Sequence, residues 1–237
     1  MLDFSLFTDG MNIAKIVFVV AASYLLGSIN VAIIVTKLFT GKDIRTMGSG
    51  NGGFTNVMRS VGTTAGIITF IGDFLKCVIA VVLGGIIFKT MSGDSANIVE
   101  LAGYGKYLGG MCCFIGHIFP VYFKFKGGKG VVTMAALAAV INFPVFLICF
   151  VVFAIIFLCT KIVSISSILS AVVLVIATLT VNYFYDYKAL GAVSFKYVVI
   201  VSILTLVISS AMIIKHKANI QRLLKGEEKK LTLKKSK

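Results

Sequence analysis

The sequence predicts an all-α, polytopic membrane helix bundle of seven spans, and three observations predict it. The chain is 58% hydrophobic with a mean hydropathy of +1.01, far beyond the composition of ordinary soluble domains. Uncharged apolar runs recur at 16–36, 107–123, 130–160, 162–185 and 197–214, against a need for roughly 20 apolar residues per crossing. Lysine and arginine gather in the segments that would share one membrane face.

The elements follow in chain order. The first apolar run is too long for a signal-peptide core and no small-residue cleavage site follows it, so it reads as a retained span over 12–36. Further spans are predicted at 64–88, 105–122, 131–143, 144–160, 162–185 and 196–214. The run 130–160 has to be broken, because a single helix there would be about 46 Å long against a hydrocarbon core of about 30 Å. Asn142-Phe143-Pro144 supplies the break, since proline disfavours helix at the residue before it. Charge supports seven spans with the N-terminus outside and the C-terminus cytoplasmic. Lys37, Lys42, Arg45, Arg59, Lys124, Lys126, Lys129, Lys161 and nine tail residues then lie inside, and Lys15, Lys89, Lys106, Lys188 and Lys196 outside. Six spans would put the basic tail outside. The chain therefore reads as one transmembrane domain, 1–214, and a cytoplasmic basic tail, 215–237. The end of the tail (Lys229, Lys230, Lys234, Lys235 and Lys237) reads as a disordered arm drawn to anionic headgroups.

Composition also excludes functions. No polar stretch is long enough for a large soluble core. The net charge of +14 does not point to nucleic acid, because no basic domain with interleaved aromatics accompanies it. The five cysteines, at 77, 112, 113, 149 and 159, lie in or beside apolar segments without metal-type spacing and read as packing residues.

Two glycine-rich basic segments carry the chemistry. The first runs Gly41-Lys42-Asp43-Ile44-Arg45-Thr46-Met47-Gly48-Ser49-Gly50-Asn51-Gly52-Gly53-Phe54-Thr55-Asn56, with Arg59 close behind. The second holds Gly116-His117-Ile118-Phe119-Pro120 and Lys124-Phe125-Lys126-Gly127-Gly128-Lys129-Gly130. Glycine lets backbone N–H groups turn toward an anion, and Lys or Arg supplies the countercharge. Both loops fall on the predicted cytoplasmic face, where phosphorylated metabolites are found. Arg45 and Ser49 flank a glycine series able to approach a phosphate, whereas Lys42 and Arg59 read equally as positive-inside charges. Gly127-Gly128-Lys129-Gly130 resembles half of a nucleotide-binding loop but lacks the G-x-x-x-x-G-K-[ST] spacing. It stands directly before an apolar span, so the loop and a helix N-terminus can meet one phosphate. His117 reads either as a packing residue or as part of the site. His216 and Asn219, at i and i+3, share a helix face, as do Asn219 and Arg222, with Glu227 following. Asp73 and Lys76 have the spacing of an intramembrane ion pair. No His-x4-Asp pair, aspartate cluster or Ser/His/Asp arrangement stands out, so catalysis is expected to rest on phosphate positioning and charge.

These residues closely resemble the bacterial acyl-phosphate glycerol-3-phosphate acyltransferases, integral membrane enzymes of phospholipid synthesis. Three motifs match in order: Gly41 through Asn56 to Arg59 and Gly62; Gly116 through Gly130; and His216, Asn219-Ile220, Arg222-Leu223-Leu224, Gly226 and Glu227. Gly27-Ser28-Ile29, Asp73-x-x-Lys76 and Ser164 also match, so the resemblance covers residues 25–230. Asn30 stands where the family usually has proline, Phe54 where it has a small residue, Cys77 where it has glycine and Lys215 where it has arginine. The stretch 182–196 is longer than usual. The resemblance implies acyl transfer from a fatty acyl phosphate to the 1-hydroxyl of glycerol 3-phosphate, giving lysophosphatidic acid and inorganic phosphate. It implies no cofactor and no metal, and as partners glycerol 3-phosphate, fatty acyl phosphate, membrane lipid and an upstream acyl-phosphate-forming enzyme. His216, Asn219, Ser49 and Lys129 are the implied catalytic residues. Ser28, Lys42, Arg45, Ser49, Gly50, Asn51, Thr55, Asn56, Arg59, His117, Gly127, Gly128, Lys129, Gly130, Ser164, Arg222 and Glu227 are implied to bind substrate. A transporter of phosphate esters would also need basic loops, but it predicts an inverted repeat that is not evident here. A membrane scaffold would not need two phosphate-type loops on one face.

Overall fold

The structure, a computed structural model, describes residues 9–91 and 98–231. Among these the regular structure is helical throughout, with no strand. In chain order the helices are α1 (Gly10–Ser28), α2 (Val31–Thr40), α3 (Phe54–Ser60), α4 (Thr63–Lys89), α5 (Ile98–Ile118), α6 (Val131–Ile141), α7 (Phe143–Thr160), α8 (Val163–Val181), α9 (Phe195–Lys215) and α10 (Lys217–Leu224).

Helices overlap the seven predicted positions, counting α1 and α2 as one. Five of them are long and apolar enough to cross a bilayer: Gly10–Thr40, Thr63–Lys89, Phe143–Thr160, Val163–Ala189 and Phe195–Lys215. Helix α6, at 11 residues, rises only about 16 Å, half of a hydrocarbon core of about 30 Å. The long apolar run recorded apolarity, not depth. The chain before α6 is a glycine loop in which Gly128 and Gly130 are buried by protein, the condition under which non-helical backbone is tolerated at membrane depth. The break after α6 falls where the sequence places it. Asn142 ends α6, its side chain accepts from Val145 N at 3.2 Å, and Pro144 occupies the first turn of α7.

The bundle has apolar side chains on its outside. On α7 only Val145 is buried, while Phe143, Leu147, Phe150, Val151, Ile155 and Leu158 are exposed. That is the surface of a helix facing lipid. Inside, small residues let the central helix α5 approach its neighbours. A Cβ added to Gly84 would sit 2.1 Å from Gly105 O, and one added to Gly27 would sit 2.1 Å from Cys113 O. Helices α4 and α1 therefore touch α5 backbone to backbone, the packing membrane helices use in place of a hydrophobic driving force. The predicted Asp73–Lys76 pair is present at 2.7 Å and buried.

The longer-than-usual stretch 182–196 continues α8 in a wider π winding over Asn182–Ala189. Tyr183 and Tyr187 close on Phe195 at ring centroid distances of 6.3 and 5.9 Å, and the Lys188 ammonium lies over both tyrosine rings. The extension is thereby pinned to the start of α9. At the other end of the chain, the described part of the tail is not a free arm. The Arg59 guanidinium donates to Lys229 O at 2.8 Å, and Leu231 N donates to Lys161 O at 2.7 Å. A side-chain donor and a backbone acceptor on the bundle hold the segment down by its backbone, despite the charge of its side chains. Lys234, Lys235 and Lys237 lie outside the described residues.

Candidate active site

The first loop builds itself from its own side chains. Helix α2 ends on Gly41, in the left-handed conformation. Asp43 then accepts from Arg45 N at 2.8 Å and caps a short turn over Ile44–Thr46. The same carboxylate takes two hydrogen bonds from the Arg45 side chain, Nε at 3.1 Å and Nη2 at 2.7 Å. Arg45 Nη1 donates across to Phe123 O in the second loop at 2.8 Å. The guanidinium is thus already engaged on both sides. Asn56 is buried and organises the glycine series. Its amide nitrogen donates to Ile44 O, Met47 O and Asn51 O, and its oxygen accepts from Ser49 N at 3.0 Å. It shapes the loop and is covered by it, contrary to the expectation of a substrate contact. The Ser49 and Asn51 side chains make no hydrogen bond among the described residues, Ser49 exposed and Asn51 half-buried, while Gly50 is exposed and Thr55 is half-buried on the first turn of α3. Lys42 is fully solvated.

The second loop is built by close approach. A Cβ on Gly127 would fall 2.0 Å from His117 O, and one on Gly128 would fall 2.2 Å from His117 Nε2 and 2.8 Å from Gly52 O. Gly130, at φ +85, caps α6, and no side chain satisfies the first amides of that helix. His117 is buried under this loop. Its Nδ1 lies 3.2 Å from Lys76 Nζ and 3.5 Å from Asp73 Oδ1, and its carbonyl accepts from Gly128 N at 3.1 Å. Nδ1 is thus held between the Lys76 ammonium and the Asp73 carboxylate, with Nε2 beneath Gly128. His117 therefore positions the loop rather than lining an open site. Ser28 is likewise fully buried and accepts from Val121 N at 3.3 Å, fixing the entry to the loop.

The third segment closes on the second. Helix α9 stops at His216, and α10 begins one residue later. His216 Nδ1 donates to Met212 O at 2.8 Å, since a carbonyl can only accept. Its Nε2 is then the free acceptor. Burial pulls its pKa down to about 4, with Lys129 acting in the same direction, so the ring is neutral at physiological pH. Asn219 Oδ1 accepts from Lys129 Nζ, and its amide nitrogen donates to Glu228 Oε1 at 2.6 Å. The Glu228 carboxylate also accepts from Ser164 Oγ at 2.8 Å and Arg222 Nε at 2.6 Å. Burial works to raise this carboxyl, yet the hydrogen bonds from Arg222, Asn219 and Ser164 hold it below the usual range. The hub is thus Glu228 and not Glu227, which is exposed. Gly226, at φ +71, turns the chain so that the second of the two glutamates faces inward. The resemblance pointed to Glu227, and Glu228 was not singled out, because neighbouring glutamates differ only in which way the turn at Gly226 aims them.

Lys129 is mostly buried, and its pKa falls to about 8 for that reason, with the charges of Arg222 and Arg59 adding to the effect and Glu228 opposing it. Arg59 reaches this group from the last turn of α3, with its Nε buried and unpartnered. Three cations therefore surround one carboxylate. Of the expected site residues, Lys129, Ser164, His216, Asn219, Arg222 and Arg59 are brought together here. Lys42 and Glu227 are not among them, and Arg45 joins the two loops from outside the cluster. Among the described residues, no three His, Cys, Asp or Glu side chains gather as a metal site would require.

Fold and side-chain arrangement define a multi-pass membrane protein with a cation-rich polar cluster at one end of its bundle. The family model for glycerol-3-phosphate acyltransferase matches residues 17–226, and the chain belongs to that family. The glycerol-3-phosphate acyltransferase of Clostridioides difficile is 36% identical over 225 residues, covering 95% of this chain and 100% of that one. Glycerol-3-phosphate acyltransferase 2 of Bacillus anthracis is 38% identical over 221 residues, covering 93% and 100%. The crystal structure of PlsY (YgiH), an integral membrane glycerol 3-phosphate acyltransferase, in its glycerol 3-phosphate form superposes with a TM-score of 0.73 at 34% identity, covering 92% of this chain and 96% of that one. Its lysophosphatidic acid form gives 0.70 at 33% identity, covering 92% and 95%.

Proposed function

We propose that this enzyme transfers a fatty acyl group from acyl phosphate to the 1-hydroxyl of sn-glycerol 3-phosphate, releasing lysophosphatidic acid and inorganic phosphate. The observation that carries the reading is the charge of the cluster. Among the described residues Lys129, Arg59 and Arg222 face one carboxylate, Glu228, which leaves an excess of two positive charges. A phosphate monoester carries about −1.5 to −2 at neutral pH, so one such group balances the site. The glycerol 3-phosphate and lysophosphatidic acid forms of PlsY support the acceptor and product classes.

The donor phosphate is placed on Gly127–Gly130, the unsatisfied amides at the start of α6 and Lys129. The acceptor is placed toward Arg45, Ser49 and Asn51. His216 Nε2 accepts a hydrogen bond from the glycerol hydroxyl and orients it. A ring with a pKa of about 4 is a weak base, so the proton passes to the departing phosphate. In the step, the glycerol oxygen bonds to the acyl carbon, the bond from that carbon to the phosphate oxygen breaks, and the phosphate leaves with the electron pair and takes the proton. Alignment of two anions held by fixed cations and amides supplies the acceleration, with no cofactor or metal in the scheme. The acyl chain lies between spans along α6. Leu137, Ala138 and Ile141 of that helix line an apolar cavity with Leu174 and Ile208, about 10–16 Å from Gly130 by helix rise.

The site is placed at the cytoplasmic face of the bacterial cell membrane, with seven crossings, the N-terminus outside and the C-terminus inside. The distribution of basic residues supports this orientation. The test is inorganic phosphate release by the purified protein from palmitoyl phosphate, with and without glycerol 3-phosphate, with the lipid product identified. Acceptor-dependent release with lysophosphatidic acid formed, and no turnover with palmitoyl-CoA, is the expected result. A folded preparation without acceptor-dependent release overturns it.

A further inference from the structure

Asn30 is fully buried at the break between α1 and α2. Its two side-chain ends do different work. Oδ1 accepts from Ile33 N at 3.1 Å and caps α2. Nδ2 reaches 22 residues along the chain and donates to Gly52 O at 3.3 Å. Capping alone asks for nothing more than a serine or a threonine. The second bond asks for an amide.

Gly52 is where the two loops meet. Its carbonyl lies 2.8 Å from the point a Cβ on Gly128 would occupy, and a Cβ on Gly52 itself would meet Gly127 C at 3.5 Å and Asn30 Nδ2 at 3.1 Å. Gly52 is thus held between Asn30 on one side and the Gly127–Gly128 backbone on the other. Two residues on, α3 begins, and it carries Asn56 into the first loop and Arg59 into the cation cluster. The peptide before Asn30 is fixed as well, because Ile29 O accepts from Lys76 Nζ at 2.7 Å, and Lys76 also contacts His117 beneath the second loop. The chain at 29–30 therefore reaches both loops, His117 through Lys76 and Gly52 directly.

We propose that Asn30 is a positioning residue that sets the spacing of the two anion loops through its bond to Gly52. The inference rests on the reading that these loops hold the two phosphates. When the donor is lost, a buried carbonyl is left without its partner, and the first loop is free to move off the second. A misplacement of about 1 Å between reacting groups can cost about a hundredfold in rate.

The test uses the full-length protein and separates the two ends of the side chain. Asn30→Ser keeps a capping oxygen but is too short to reach Gly52. Its unfolding temperature is expected to fall by only a few degrees, the cost of one unpaired buried carbonyl, while kcat/KM falls about tenfold or more with KM raised for both acyl phosphate and glycerol 3-phosphate. A purely structural cap predicts wild-type kinetics for this variant, and that result overturns the proposal. A double-mutant cycle gives a second reading that survives a loss of stability. Asn30→Ala and Gly52→Ala act on one contact, so the double variant is expected to fall well short of the product of the two single losses. Multiplicative losses overturn the proposal. Absence of acceptor-dependent turnover in the wild type counts instead against the proposed function, so the two failures are distinguishable.

Discussion

The two glycine-rich loops look alike in composition and are held by opposite means. In the first, a side chain shapes the backbone: Asn56 sits in the middle and ties four other residues to itself, while Asp43 and Arg45 neutralise each other. In the second, backbone meets backbone and a rigid ring. His117, clamped by Asp73 and Lys76, lies under Gly127 and Gly128 with no space for a Cβ. The charges differ in the same way. Arg45 is half-exposed and paired, whereas Lys129 is mostly buried among more positive than negative neighbours. Two stretches that share a residue vocabulary thus divide the labour, one framing the site and the other supplying its unbalanced charge.

The sharpest way to break this comparison is to remove the unbalanced charge. Lys129→Ala is expected to lower kcat/KM by about 10² to 10³, the loss typical of a preorganised group that stabilises transition-state charge. Steady-state kinetics with palmitoyl phosphate checks it, and activity within a few-fold of wild type would remove the second loop from the chemistry. Next in size comes Gly128→Ala. The added methyl collides with His117 Nε2 and Gly52 O, neither of which is free to move, so a loss of about 10² is expected without loss of the folded protein. The matched control in the first loop is Gly41→Ala. It meets no atom within 4 Å and suffers only the strain of φ +70, so its cost is expected in the unfolding temperature and not in turnover.

The third prediction concerns the carboxylate that the cations share. Glu228→Ala leaves Arg222, Asn219 and Ser164 without their acceptor. Charge-assisted bonds are worth about 1.5–3 kcal/mol each, so a loss of about tenfold or more in kcat/KM, with a lower unfolding temperature, is expected. Glu227→Ala, one residue away, is expected to leave both unchanged. Equal effects of the two substitutions would mean that the turn at Gly226 does not hold.

Much of this was legible in the sequence, and what was not has a common cause. The break at Asn142 could be read because a capping asparagine and a proline act locally. The Asp73–Lys76 pair could be read from its spacing on one helix. His117 joins that pair only because glycines let α5 close on α4, and spacing along one helix does not report such a contact. The shortness of α6 was hidden because an apolar run does not say how much of it is helix and how much is the glycine loop before it. Asn56 was listed with the substrate-binding residues through the resemblance, and a motif does not say whether an amide faces a ligand or its own loop. The choice of Glu228 over Glu227 depends on one left-handed glycine.

The pH profile tests the same contrast more gently. Lys129 carries its charge below its pKa of about 8 and loses it above. Since kcat/KM reports groups of the free enzyme, it is expected to fall about tenfold per unit at pH values well above 8. His216, at about 4, stays neutral across this range and contributes no limb between pH 6.5 and 7.5. A break near 6.5 that remains after the second ionisation of the substrate phosphate is accounted for, and that His216→Ala removes, would mean that His216 titrates as an ordinary histidine. A flat profile up to pH 9.5 would mean that the Lys129 charge is not what the substrates need.

The smallest effect is expected at Lys42, and it is informative for that reason. Lys42 stands in the same motif as Arg45 and Ser49, and composition gives no ground for setting it apart. Its side chain is solvated and lies outside the cluster, and only its backbone is engaged, with Lys42 N donating to Thr40 Oγ1 at 3.2 Å. An exposed charge of this kind acts through screened, long-range attraction. Lys42→Ala is therefore expected to change kcat/KM by less than about twofold at 0.15 M salt, with any deficit growing as salt is lowered. Measuring the two kinetic constants across ionic strength checks it. A large, salt-independent loss would place Lys42 against a substrate phosphate and make the first loop a second charged partner in the chemistry rather than its frame.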